Sequence, residues 1–132
     1  MANVAMIAAV AAGGAVGAVL RYATTLAVGT GIFGIAAPLA TLLVNIAGSA
    51  MMGGLAGLVT AGIVLPEAWR GFFAVGLLGA LTTFSSFALD AGALWQKQGV
   101  LMAGAYVMVS VILSLLAFGA AFWMAKHSGI WQ

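Results

Sequence analysis

Apolar residues dominate four long stretches of the chain, and short polar or glycine-rich turns separate them. A helix needs about 20 consecutive apolar residues to cross the hydrocarbon core of a bilayer. The pattern therefore predicts an all-α fold with four transmembrane helices, over about residues 4–28, 38–64, 69–94 and 100–125. Gly29-Thr30-Gly31 is the first predicted turn. No stretch is left for a soluble domain, so residues 1–132 are expected to form a single integral membrane domain.

The composition strengthens this prediction. Of the 132 residues, 65% are hydrophobic and only 5% are charged, which is too few charged side chains to cover a water-soluble domain. The absence of cysteine excludes disulfides and thiolate metal sites, and a net charge of +2 does not favour nucleic acid as a partner. No Lys or Arg precedes the long first apolar stretch, which does not favour a signal peptide. The sequence contains no plausible pair of a nucleophile and a base, so it does not indicate an enzyme.

The basic residues do not select one orientation in the membrane. With four helices, Arg70 and Lys126 lie toward one side, whereas Arg21 and Lys97 lie toward the other. The positive-inside rule then gives no bias. Either other signals decide the topology, or the protein inserts both ways and pairs head to tail. A four-helix chain cannot easily enclose a pore alone, so we expect an antiparallel homodimer.

The third predicted helix carries hydroxyl groups where it should be most apolar. Tryptophans favour membrane interfaces, and the midpoint between Trp69 and Trp95 is residue 82. Thr82-Thr83-Phe84-Ser85-Ser86-Phe87 therefore falls near the bilayer midplane, where polar clusters usually mark a binding site or an ion path. Gly76 and Gly79 precede it and can release the helical backbone. We predict that the third helix is broken at the midplane.

Two other helices carry spaced polar residues. Thr41 and Asn45 are four residues apart and share a face of the second helix. An amide in hydrocarbon must find partners, so Asn45 either holds helices together or lines a pathway, and we favour the pathway. Tyr106, Ser110 and Ser114 form an i, i+4, i+8 stripe on the fourth helix. Membrane serines often bond the carbonyl four residues back, so packing and pathway remain equally good interpretations.

The remaining polar and small residues leave alternatives open. Arg21 either extends to the interface or concentrates anions at a pore entrance. Asp90 is expected to pair with another group or to contact water, and His127 to lie at the interface; neither has a predicted role. The spacings Gly13-x-x-x-Gly17 and Gly53-x-x-x-Gly57 permit close helix packing.

Together these segments resemble the Fluc (CrcB-type) fluoride channels. Residues 13–22 (GGAVGAVLRY) resemble the first motif of that family, residues 41–48 (TLLVNIAG) the second, and residues 76–87 (GLLGALTTFSSF) the third and most specific. The stripe from Tyr106 to Ser114 is similar to the polar track of the fourth helix. The resemblance covers all four helices in order. One departure is Ser86, where many members carry threonine, and the hydroxyl is retained.

The resemblance implies a dual-topology homodimer in the cell (inner) membrane, with two pores that export fluoride passively and reduce its toxicity in the cytoplasm. It implies a Na⁺ ion at the dimer interface, held by the backbone carbonyls of Gly79 and Thr82. The predicted ion pathway comprises Arg21 at the entrance, Thr41, Asn45, Thr83, Phe84, Ser85, Ser86, Phe87, Tyr106, Ser110 and Ser114.

Two other functions remain as alternatives. A small four-helix cation/proton antiporter needs a carboxylate within the membrane, usually in the first helix, and residues 4–28 contain none. Asp90 is the only candidate and lies nearer to an interface. A membrane scaffold subunit that transports nothing would leave Asn45 and the midplane hydroxyls unexplained.

Overall fold

The computed structural model describes residues 4–28 and 36–128, and these residues are helical apart from short connections. The elements are α1 (Val4–Val28), α2 (Ala36–Thr60), α3 (Glu67–Arg70), a π-helical segment (Gly71–Leu78), α4 (Gly79–Leu81), α5 (Phe84–Gln98) and α6 (Val100–Lys126). Four helical stretches in these ranges are long and apolar enough to cross a membrane, with Glu67–Gln98 counted as one stretch. The predicted all-α fold with four such stretches is confirmed. The predicted turn at Gly29-Thr30-Gly31 lies outside the described residues.

The second helix ends at Thr60, four residues before the predicted end at Val64. Gly62 has a φ of +101°, a conformation that costs glycine nothing and other residues much. Its N–H donates to the carbonyl of Val59, and the N–H of Ile63 donates to the carbonyl of Leu58. This pair of bonds is a Schellman ending, which stops a helix at a glycine even when apolar residues follow. Hydrophobicity alone therefore overestimated the length of α2.

The third stretch changes its backbone geometry twice. Between Gly71 and Leu78 the helix has the wider π form, which we did not predict. The residues of this segment are all apolar or glycine, so no polar periodicity reports the width of the turn. Helical geometry stops after Leu81, since Thr82 (φ −81°, ψ 148°) and Thr83 (φ −153°, ψ 124°) are extended, and α5 begins at Phe84.

The helices approach one another at glycines. A Cβ added at Gly13, Gly17, Gly53 or Gly57 would collide with a backbone carbonyl oxygen of a neighbouring element. These oxygens belong to Phe72, Leu77, Phe118 and Phe122, respectively. The two small-residue spacings therefore mark real helix contacts, α1 against the π-helical segment and α2 against α6. A small apolar core of Val44, Leu77, Leu78 and Leu81 lies where α2 meets the third stretch.

We expect Gly53→Ala to destabilise the protein by about 1–3 kcal/mol, because the added methyl group would push α2 away from the carbonyl of Phe118. The adjacent Gly54→Ala is the matched control. A Cβ at Gly54 would meet no described atom within 4 Å, and alanine improves helix propensity by up to about 1 kcal/mol. Thermal unfolding of both purified variants in the same detergent measures the difference. Equal melting temperatures would contradict the close approach of α2 and α6.

Candidate functional site

A groove of about 400 Å³ lies between α2, the junction of α4 with α5, and α6. Its wall combines hydroxyl, amide and aromatic groups with aliphatic side chains. The lining residues are Asn45, Gly48, Ser49, Met52, Leu78, Thr82, Thr83, Phe84, Phe87, Ser110, Val111, Ser114, Leu115 and Phe118. The sequence motifs of three separate helices therefore meet at one place. None of the lining residues carries a formal charge at neutral pH.

Thr83 organises the start of α5. Its side-chain oxygen Oγ1 accepts a hydrogen bond from the N–H of Ser86 at 3.3 Å, the bond of an N-terminal cap. The same oxygen lies 3.1 Å from Oγ of Ser85 and donates to Oγ of Ser86 at 3.4 Å. The hydroxyl groups at positions 83, 85 and 86 thus form one cluster at the first turn of α5. The N-terminal end of a helix carries partial positive charge, so this cluster lies at an end that favours anions.

Asn45 pairs with the backbone of the same residue. The N–H of Thr83 donates to Oδ1 of Asn45 at 3.0 Å, and Nδ2 of Asn45 donates to the carbonyl of Thr83 at 3.4 Å. A backbone N–H can only donate, so the amide oxygen, rather than the amide nitrogen, must face it. Asn45 therefore contacts the groove and also connects α2 with the extended residues.

Gly48 lies one turn beyond Asn45 and admits the side chain of Thr82. A Cβ at Gly48 would collide with the methyl group of Thr82. The hydroxyl of Thr82 donates to the carbonyl of Leu78 at 2.8 Å, which the N–H of Thr82 also reaches at 3.0 Å. Both extended residues are thus fixed from the α2 side, Thr82 by shape and Thr83 by hydrogen bonds.

Three aromatic rings follow one another along the site. The ring centres of Phe84 and Phe87 are 5.5 Å apart, and those of Phe87 and Tyr106 are 5.4 Å apart. Phe87 is buried, whereas Phe84 is 80% exposed although it lines the groove. Phe84 therefore presents most of its ring to whatever lies outside this chain.

Several buried polar atoms beside the groove have no hydrogen-bond partner among the described residues. They are Oγ of Ser110, the hydroxyl of Tyr106 and Oδ2 of Asp90. The Tyr106 hydroxyl lies near the side chains of Thr41, Asp90 and Ser110. Thr24, Thr25 and Thr60 bond the carbonyl four residues back, whereas Ser110, only 3% exposed, does not. The Ser110 hydroxyl therefore does not bond its own helix in the way these threonines do, and it lies at the groove wall near the Tyr106 hydroxyl.

The structure brings together most of the predicted pathway residues but not all. Asn45, Thr83, Phe84, Phe87, Ser110 and Ser114 line the groove. Four others do not line the groove but lie close to it. Ser85 and Ser86 contact the Thr83 hydroxyl, the ring of Tyr106 contacts that of Phe87, and Thr41 lies near the Tyr106 hydroxyl. Arg21 lies on α1 outside the groove and is partly exposed, with its carbonyl accepting a hydrogen bond from Thr25.

The groove also has residues that were not predicted. Ser49 follows Asn45 by four positions and extends the Thr41–Asn45 spacing to an i, i+4, i+8 series, which the sequence would have revealed. Gly48 lay within the second motif, but its part in admitting Thr82 depends on a contact between helices. The aliphatic lining residues have no signal in a chain where 65% of the residues are hydrophobic.

The described residues contain no group of three or more His, Cys, Asp or Glu side chains that could hold a metal ion. The predicted cation ligands are backbone carbonyls instead, at Gly79 and Thr82. A regular helix would supply Gly79 with the N–H of Thr83 and Thr82 with the N–H of Ser86. Those two donors bond the side chains of Asn45 and Thr83. Both carbonyls have thus lost their helical donors, and Gly79 is exposed.

Comparison with known proteins identifies the family. Residues 8–122 match the family model described as "CrcB-like protein, Camphor Resistance (CrcB)". The chain belongs to the CrcB family. This confirms the resemblance drawn from the three motifs.

CrcB relatives are similar over most of their length. A protein of Rhodospirillum centenum named "Fluoride-specific ion channel FluC" is 47% identical over 110 residues, which are 83% of this chain and 86% of the relative. One of Nitrobacter hamburgensis, named "Fluoride-specific ion channel FluC 1", is 45% identical over 109 residues, with the same coverage. One of Vibrio cholerae serotype O1 is 40% identical over 123 residues, covering 92% of this chain and 97% of the relative. With four apolar helical stretches, this member of the CrcB family is a multi-pass membrane protein.

We expect Thr83→Val to destabilise the start of α5 in this CrcB protein by about 1 kcal/mol, because it removes the cap oxygen and keeps the shape of the side chain. Thr83→Ser keeps the hydroxyl and is the matched control. Hydrogen–deuterium exchange should show faster exchange at the Ser86 amide in Thr83→Val only. Exchange at the wild-type rate in that variant would mean that the capping bond contributes nothing.

Proposed function

We propose that the chain forms a fluoride-selective channel that lets F⁻ leave the cell passively and so limits its toxicity. The observation that carries this proposal is the uncharged groove, where the buried hydroxyl of Ser110 has no partner among the described residues. The names of the relatives support fluoride as the ion. The multi-pass fold supports a membrane location, and we propose the inner membrane.

Neutral donors suit the conduction of fluoride. The ion is small and holds its water tightly, so a pathway must replace that water with hydrogen-bond donors. Hydroxyl groups of serine and threonine can donate without carrying charge. Conduction requires binding that is strong enough to admit an ion and weak enough to release it. The hydroxyls of Ser110 and Ser114 meet this requirement, whereas a lysine in their place would hold the anion too firmly.

The two phenylalanines are proposed to line the same path. The edge of an aromatic ring carries partial positive charge and can face an anion. Phe84 and Phe87 have neighbouring rings on the groove wall. The ring of Tyr106 continues this row, and its hydroxyl, beside Thr41 and Ser110, supplies a further donor. Ser85 and Ser86 act at the first turn of α5, and Arg21 attracts anions at the entrance.

We infer that two chains pair head to tail and enclose two pores. The groove is open rather than enclosed, and Phe84, one of its lining residues, is 80% exposed. A second chain would cover that surface and complete the wall. The even division of basic residues between the two ends supports insertion in both orientations. In this arrangement the extended residues Thr82 and Thr83 form a break at the bilayer midplane, close to the two-fold axis.

The same axis suits a Na⁺ ion bound by Gly79 and Thr82. Two carbonyls from each chain would provide four oxygens, the ligand type that a hard cation prefers. The loss of both helical donors supports the assignment, because these oxygens need another positive partner. When bound, Na⁺ supplies a positive charge that links the two chains and favours nearby anions.

Purified protein in liposomes should release fluoride and leave chloride inside. Phe87→Ile keeps bulk and apolarity but removes the ring edge, and we expect its flux to fall by at least about tenfold, equivalent to about 1.4 kcal/mol in the barrier. The fluoride flux through Phe84→Ile should fall for the same reason. A fluoride electrode measures the efflux from liposomes that contain the wild type or either variant.

The matched control is Phe73→Ile, the same change at a ring that stacks on Trp69 away from the groove. It should conduct as the wild type does. Proton-coupled cation transport would favour an antiporter, and no flux at all would favour a scaffold subunit. Full flux from both groove variants would return Phe84 and Phe87 to a packing role.

A tag at the C-terminus should be found on both sides of the membrane, because the basic residues give no orientation bias. Two or three lysines added beside Lys126 should move every tag to one side and abolish flux when that variant is expressed alone. Co-expression with a variant that carries extra lysines beside Lys97 should restore flux. Full activity from one completely biased variant would disprove the head-to-tail dimer.

A further inference from the structure

Asn45 binds both polar groups of the Thr83 backbone, and this has consequences on the far side of the peptide. Its Oδ1 accepts from the N–H of Thr83 at 3.0 Å, the shorter of the two bonds. Its Nδ2 donates to the carbonyl of Thr83 at 3.4 Å. The oxygen of the amide is therefore the group that captures a backbone donor.

The first consequence concerns Gly79. In an α-helix the N–H of Thr83 would bond the carbonyl four residues earlier, which is that of Gly79. Asn45 holds that N–H instead. The carbonyl of Gly79 is thereby released from the helix. Gly79 is also exposed, and a Cβ there would meet only the carbonyl oxygen of Ala74, at 3.8 Å. The residue that carries the released oxygen is therefore not enclosed by the described part of its own chain.

The second consequence concerns Thr82. The carbonyl of Thr82 and the N–H of Thr83 belong to one peptide group, which is planar and trans in the described chain. In a trans peptide the C=O and N–H bonds point in opposite directions. Because the N–H points to Asn45, the carbonyl of Thr82 points away from that side chain. One hydrogen bond from α2 thus sets the direction of one carbonyl and frees another.

We propose that Asn45 is a positioning residue for the cation site, acting through the Thr82–Thr83 peptide. The inference rests on the proposed Na⁺ ligands, the carbonyls of Gly79 and Thr82. The essential group is the acceptor Oδ1, since it alone binds the N–H of Thr83. The effect of Asn45 on fluoride conduction is then largely indirect, because the same peptide joins the groove wall to the cation ligands.

Substitution at residue 45 separates the acceptor from the donor. Asn45→Leu and the smaller Asn45→Ala remove both hydrogen bonds to Thr83. Asn45→Asp keeps an oxygen that can accept from the N–H and loses the N–H that donates to the carbonyl. We therefore expect Asn45→Asp to retain Na⁺ binding while its negative charge suppresses fluoride flux. Asn45→Leu and Asn45→Ala should lose both properties.

The sequence offers an internal control for measuring this in the full-length protein. Threonine follows threonine at only two places, Thr24–Thr25 and Thr82–Thr83. If all threonines carry ¹³C at the carbonyl and ¹⁵N at the amide, a nitrogen–carbonyl correlation spectrum contains one signal from each pair. Na⁺ titrated into liposomes in sodium-free N-methylglucamine buffer should move the Thr82–Thr83 signal. The Thr24–Thr25 signal, from within α1, should stay in place.

In Asn45→Leu and Asn45→Ala, half of the Na⁺-induced shift should require at least about tenfold more Na⁺, which corresponds to about 1.4 kcal/mol. Asn45→Asp should titrate close to the wild type. Ser110→Ala removes a groove hydroxyl without touching the peptide, and its Na⁺ titration should match the wild type too. Any folded Leu or Ala variant with a wild-type titration would overturn the positioning role of Asn45.

Failure of the proposed function gives a different result. A wild-type protein that conducts fluoride but shows no Na⁺-induced shift would remove the cation site, and the positioning role with it. A wild-type protein that binds Na⁺ but does not conduct fluoride would refute the channel and leave the role of Asn45 intact.

Discussion

The hydrogen bonding of two extended residues is the constraint on which the rest of the structure depends. A chain in apolar surroundings must satisfy its backbone groups internally, so an interrupted helix needs substitute partners. The N–H of Thr83 finds Asn45, and the N–H of Ser86 finds Oγ1 of Thr83. The position of α2 follows, since Asn45 must reach Thr83 and Gly48 must leave space for Thr82. These contacts set the distance between α2 and the start of α5, and the groove lies between these two elements.

The sequence could predict which residues are unusual but not how they pair. Asn45 and the Thr82–Phe87 cluster stand out because polar groups are costly among apolar neighbours. Nothing in the spacing indicates that the Asn45 amide binds the backbone of Thr83, because that bond joins residues 38 positions apart. The π-helical segment escaped prediction for the opposite reason, since all of its residues are apolar or glycine. The end of α2 depended on the φ of Gly62, a local choice that outweighed the apolar residues after it.

The proposed anion path and the proposed cation site share a single peptide group. Thr83 lines the groove, while the carbonyl of Thr82 points away from the Asn45 side chain on α2. A change in the direction of this peptide would therefore alter both sites together. Under these proposals, the uncharged side chain of Asn45 affects the sites of two ions of opposite sign through one peptide group.

The glycines at the helix contacts have a chemical consequence besides close approach. Gly13, Gly17, Gly53 and Gly57 each direct a Cα hydrogen, in the place of a Cβ, toward a carbonyl oxygen of a neighbouring helix. Such C–H···O contacts contribute about 0.5–1 kcal/mol each, and they need no side chain on either helix. Main chain thus adheres to main chain at four points. These four contacts depend on no side chain, so they hold regardless of which apolar side chains face outward on the same helices.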